Sequence, residues 1–203
     1  LHGSEHSFPT RRSSDLVKKQ LQNFDENFAI GGRSELVIEF KNPVLRTKDA
    51  RFLIGADPLS QKSGDELFYH FEFELVRLST ESAPPPMNRL GLDLAFRQGK
   101  LTKIIVPETF MLLFPRNVVV DTLKQAKDAE VFELKKLARG KIHLHREVEA
   151  QLPSYAKTLL LLGEPLLRAS EGDLHVLTYR YSILKASKDV LILTQLSFDA
   201  EGF

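Results

Sequence analysis

The chain has 203 residues, 42% of them hydrophobic and 27% charged, an ordinary globular composition with material for one large or two small cores. Its 28 Lys+Arg and 27 Asp+Glu are interspersed and leave a net charge of +1, so no field of one sign is available to steer nucleic acid or an anionic membrane. The densest apolar runs, 110–114 and the four leucines 159–162, fall far short of the roughly 18–20 residues of a membrane helix, and the absence of cysteine excludes disulfides, thiolate nucleophiles and Cys-ligated zinc.

Residues 6–16, HSFPTRRSSDL, resemble the translation of a short-read sequencing adapter; the alternative is a basic, Ser-rich arm. On the first reading 1–16 is foreign and disordered, the natural sequence begins near Val17, and any signal peptide or lipid-attachment cysteine would have been lost with the segment before it. Removing 1–16 takes away Arg11, Arg12, Glu5 and Asp15, so the net charge is unchanged and the basic start no longer argues for any partner.

Leu36, Ile38 and Phe40 alternate with Glu35, Val37 and Glu39, which predicts a strand with one buried face. Pro43 ends it, Thr47 is placed to cap a helix carrying Ala50, Leu53 and Ile54 on one face, and Gly55 stops that helix. A loop then leads to the Gly64-Asp65 turn, after which Leu67, Tyr69, Phe71, Phe73 and Leu75 share a strand face. Polar, aperiodic residues 79–90, with Pro84-Pro85-Pro86, read as an exposed excursion before a strand through Leu92, Leu94 and Phe96, and Gly99 turns the chain into a further strand, 101–106. Val119, Leu123 and Ala126, then Val131, Leu134 and Ala138, predict two connecting helices.

The pattern then returns. At a constant offset of 108, Gly55 matches Gly163, Gly64-Asp65 matches Gly172-Asp173, and Phe71 and Phe73 match Tyr179 and Tyr181, with Leu144 and Val148 opposite Leu36 and Phe40. The strand Thr194, Leu196, Phe198 follows at an offset of 102, because loop 79–90 carries extra residues. The predicted fold class is α+β, a tandem repeat of strand–helix–antiparallel-meander modules. Its expected divisions are a first module at 17–106, a helical connector at 107–140 and a second module at 141–203, cut short at Gly202-Phe203.

His143-x-His145-x-Glu147 puts three possible metal ligands on one strand face, although alternation with Ile142 and Leu144 explains them equally as the solvated side of a strand. Asp57, Asp65 and Glu66 contain carboxylates for acid–base work, but Gly-Asp is also what a turn requires. Ser34 lacks the G-x-S-x-G context of a nucleophile, and Gly31-Gly32 lacks phosphate-loop spacing. The aromatic ladder Tyr69, Phe71, Phe73, Tyr179, Tyr181 suits a core beneath a helix better than a ligand surface. Its polar-side neighbours His70, Glu72, Arg180 and Ser182 are the candidate binding surface. No catalytic residue and no cofactor is indicated.

Leu161-Leu162-Gly163-Glu164-Pro165, Thr178-Tyr179-Arg180-Tyr181 and Leu196-Ser197-Phe198-Asp199-x-x-Gly202 resemble the SmpA/OmlA small lipoprotein family, the fold of the accessory lipoprotein of the outer-membrane β-barrel assembly machine. Copy one follows more loosely through Leu53-Ile54-Gly55 and Leu94-Ala95-Phe96-x-x-Gly99. A tandem pair of such units is also similar in architecture to the secreted β-lactamase inhibitor proteins. The strand before each helix and the 107–140 connector depart from the family pattern. The resemblance implies a non-enzymatic envelope protein, periplasmic or on the periplasmic face of the outer membrane, with a possible lipid anchor and another envelope protein as its partner. The alternative is a small-molecule or metal-binding hydrolase with its site between the modules.

Overall fold

Alternation over residues 36–40 predicts one buried strand face, and Leu36, Ile38 and Phe40 are all buried in strand β2 (Leu36–Phe40). The computed structural model describes residues 10–79, 83–126, 130–132, 137–139, 151–184 and 191–199. Before β2 come α1 (Thr10–Gln22), α2 (Phe24–Asn27) and β1 (Phe28–Gly31). After it come α3 (Thr47–Ile54), β3 (Leu59–Ser63), β4 (Glu66–Leu75), β5 (Arg89–Arg97) and β6 (Lys100–Val106). Then follow α4 (Glu108–Met111), α5 (Arg116–Gln125), β7 (Glu130–Phe132), β8 (Leu137–Arg139), α6 (Tyr155–Leu162), β9 (Leu167–Glu171), β10 (Leu174–Ile183) and β11 (Leu191–Phe198).

The described residues form an α+β structure around a nine-stranded antiparallel sheet in the order β1-β2-β6-β5-β4-β10-β11, with β3 on β4 and β9 on β10. β3 runs beside residues 66–70 of β4, and β10 takes the same strand at 73–75. In the same way β9 runs beside 174–178 of β10, which leaves 181–183 for β4. The bounds of α3 and α6, of β3 and β9, and of β4 and β10 all differ by 108, while β5 and β11 start 102 apart.

The helices pack on one face of this sheet. Leu16, Val17 and Leu21 of α1, Ala50 and Ile54 of α3, and Val119, Val120 and Leu123 of α5 meet Leu36, Ile38, Tyr69, Phe71, Leu94 and Phe96 in one core cluster. Leu161 and Leu162 of α6 meet Leu177, Tyr179, Tyr181 and Phe198 in a second, and Phe73 touches both. The aromatic ladder is therefore core: Phe71 and Tyr179 are each 1% exposed. Burial of this kind drives both clusters, each large side chain contributing about 1.5–3 kcal/mol.

The structure departs from several expectations. α3 is entered from Arg46, not Thr47, and the cap is Asp49, whose Oδ2 accepts from the Arg46 N–H at 2.8 Å. Its C-terminal Gly55 does take the left-handed conformation, with φ 79°, as a helix stop requires. The loops after Pro58 and Pro165 form strands β3 and β9, whose residues are all exposed; edge strands of this kind have no buried face to write into the sequence. Loop 79–90 is not wholly an excursion: Met87 is 1% exposed, its N–H donates to Leu161 O at 3.0 Å, and Pro85 lies against Gly163. Val131 and Ala138, predicted to share a helix, instead pair across β7 and β8, a few helical repeats being too little to pay for nucleation; Leu134 lies outside the described residues. Helix α1 starts at Thr10 and crosses the expected boundary at Val17, and Ser13 Oγ donates to Asp49 Oδ1 at 2.6 Å.

Candidate functional site

Residues pointing away from the helices share the opposite face of the sheet, where Val176 and Thr178 of β10 are buried and the side chains nearer the β4–β10 seam are more open. Strand alternation alone sends His70, Glu72 and Glu74 of β4 there, and Ser182 joins them because it pairs with Glu74. Asp93 pairs with His70, Gly91 with Glu72 and Arg89 with Glu74 across the β4–β5 ladder. The candidates His70, Glu72, Arg180 and Ser182 thus lie on one surface that runs across the β4–β10 seam.

Their partners make it a network of one imidazole–carboxylate hydrogen bond and modest ion pairs. His70 Nδ1 is 2.7 Å from Asp93 Oδ1, with both side chains about two-fifths exposed (40% and 44%). Arg89 bridges two carboxylates, donating from Nε to Glu74 Oε1 at 2.9 Å and lying 3.6 Å from Glu72 Oε1. Arg180 is exposed, and Ser182 Oγ reaches Glu74 O only at 3.4 Å. Gly91 makes room for the imidazole: a Cβ there would sit 3.0 Å from His70 Cε1. Such half-solvated pairs are worth roughly 0–1 kcal/mol each; they set the pattern of charge more than the stability.

Around His70 the small hollow is lined by Asp57, Leu59, Phe71, Glu72 and Leu184, with neither hydroxyl nor thiol. No group of three His, Asp or Glu among the described residues could hold a metal. Asp65 and Glu66 share Arg97, at 3.3 and 2.9 Å, whereas Asp57 lies apart beside Arg51 at 3.9 Å, so the three acids do not converge. His175 packs its ring against Tyr155 on the helix side. Ser34 Oγ donates to Glu35 Oε2. His143, His145 and Glu147 lie outside the described residues.

Two features were not anticipated. The Arg116 guanidinium donates to the carbonyls of Gly31, Gly32, Arg33 and Glu35 at 2.8–3.3 Å, pinning the β1–β2 turn to α5. Backbone and Ser34 hydrogen bonds hold the neighbouring Glu35 carboxyl below its ordinary value, with Arg116 assisting. The phenols of Tyr179 and Tyr181, although core residues, keep partners: Tyr179 donates to Gly163 O at 3.0 Å and Tyr181 to Met87 O at 2.9 Å. Burial pushes both phenols up, Tyr179 to about 12. Compared with protein-family models, with curated proteins and with solved structures, the chain matches none.

Proposed function

We propose that this is a non-enzymatic bacterial envelope protein that works by protein–protein contact, and that it is built from two copies of one strand–helix–meander unit joined edge to edge. What supports the tandem reading is the seam. Glu74 pairs with Ser182, its counterpart 108 positions on, and Val76 N–H donates to Arg180 O while Leu184 N–H donates to Glu72 O, both at 2.8 Å. Exchanging each residue for its counterpart converts one of these bonds into the other, as a local two-fold axis between like units demands.

The observation that carries the contact reading is the charged surface that His70, Glu72, Glu74, Arg180 and Ser182 form across the β4–β10 seam, with no metal cluster among the described residues. The envelope assignment follows the SmpA/OmlA resemblance. The test is expression from the intact gene with a photo-crosslinking amino acid at Glu72, Arg180 or, as a control, Leu160 on the outer side of α6. Adducts from positions 72 and 180 in the envelope fraction are expected. Adducts from 160 alone, or a product confined to the cytosol, would overturn the reading.

A further inference from the structure

Where α3 begins, the β5–β6 turn closes over it and leaves a cavity of about 420 Å³ lined by Arg46, Thr47, Lys48, Gln98, Gly99 and Lys100. Three of the six are cations and none is an acid. Several cations elsewhere on the sheet are answered by carboxylates, Arg89 by Glu72 and Glu74, Arg97 by Asp65 and Glu66, Lys103 by Glu39, while Lys62 and Arg180 stand singly instead of gathering around a cavity. Arg46, Lys48 and Lys100 have no such partner among the described residues. The nearby carboxylate, Asp49, is buried and engaged by Ser13 and the Arg46 N–H, and it does not line the cavity.

The fold does not ask for these charges. Helix α6 has the same length as α3 and lies 108 positions later, yet it opens on Ser154-Tyr155-Ala156 where α3 opens on Arg46-Thr47-Lys48. Ser154 Oγ accepts from the Lys157 N–H at 3.3 Å and caps that helix without a cation. The two-residue turn through Gln98 and Gly99, with φ 51° and 74°, brings Lys100 back beside Arg46, with which it forms an isolated bridge. Three uncompensated cations held around one open cavity repel each other unless an anion joins them.

We infer that this cavity binds a tetrahedral oxyanion, as free phosphate or sulfate or as a phosphate ester on a larger molecule. The guanidinium of Arg46 suits two oxygens at once, and the lysines supply point charges. The site is independent of the charged surface at the β4–β10 seam.

The full chain, labelled with ¹⁵N, is titrated with inorganic phosphate, inorganic sulfate and glycerol 3-phosphate at constant ionic strength, and separately mixed with phosphatidic acid vesicles. Saturable amide shifts at Thr47, Lys48, Gly99 and Lys100 are expected. The Lys48→Ala/Lys100→Ala variant, whose first change reproduces the Ala156 of α6, should weaken binding at least about tenfold. A control with the same loss of charge elsewhere, Lys62→Ala/Lys157→Ala, should leave it unchanged. Response to vesicles with none to glycerol 3-phosphate supports the site and assigns the anion to a head group; the reverse supports it with a soluble ligand. Absence of saturable shifts with every probe, or equal weakening in the control, overturns the proposal.

Discussion

Glu74 and Ser182 pair across the β4–β10 seam and stand 108 positions apart, the same separation as between the bounds of α3 and α6. The seam hydrogen bonds donated by Val76 and Leu184 exchange under that separation, which makes a prediction about energy. Val76→Pro and Leu184→Pro each remove one of these donors and leave a carbonyl unpaired, so each should cost about 1–3 kcal/mol, and the two costs should be alike. Urea unfolding of both variants checks this; a neutral result for one alone would contradict the two-fold reading.

Arg116→Ala strips four carbonyls of the β1–β2 turn of their donor and should destabilise by about 2 kcal/mol. Arg116→Lys should recover only part of that loss, because an ammonium cannot fork across the same set. Chemical denaturation measures the cost, and faster amide exchange in residues 28–40 would locate it.

The raised phenols of Tyr179 and Tyr181 predict a stability that falls in alkali. Below pH 9 both phenols are protonated whether folded or unfolded and contribute no slope. Above the ordinary value of 10, an unfolded tyrosine loses its proton while Tyr179 keeps its own to about 12 and Tyr181 holds on higher still. The unfolded state then binds fewer protons, so stability drops as pH rises. Tyr179→Phe and Tyr181→Phe should each flatten that drop and, at pH 7, cost about 1 kcal/mol for the lost hydrogen bond. Denaturant midpoints between pH 8 and 11 check both.

Trimming residues 1–16 removes the Ser13–Asp49 hydrogen bond and Leu16 but leaves Val17 and Leu21 on the core and Asp49 on the Arg46 N–H. Residues 17–203 should keep the fold, with a loss of about 1–2 kcal/mol. Unfolding of the trimmed chain would contradict the reading of 1–16 as foreign.

Elements with one buried face were legible. Period-2 runs marked β2, β4 and β10, and the Gly55 and Gly163 stops bounded α3 and α6, because those residues alternate or cap by local rules. β3 and β9 were not, since LSQKS and LRASE are exposed throughout. The alternation that sends His70, Glu72, Arg180 and Ser182 away from the core could be read along each strand. The pairing of His70 with Asp93 and of Glu74 with Ser182 could not, because register between strands depends on contacts 23 and 108 residues apart. Arg116 is a sharper case: its carbonyl partners lie more than 80 positions away, and an arginine at a helix start carries no local sign of them.

The most direct test uses the absence of cysteine. In Glu74→Cys/Ser182→Cys the only two thiols face each other in register, at the roughly 5.5 Å Cα spacing of a hydrogen-bonded antiparallel pair, within reach of a disulfide. Mild oxidation of the folded variant should close an intramolecular bond, seen by intact mass and by loss of maleimide labelling. Two thiols that stay labelled in the folded protein, or that link only between molecules, would contradict the β4–β10 pairing at Glu74 and Ser182 on which the proposed joining of two units rests.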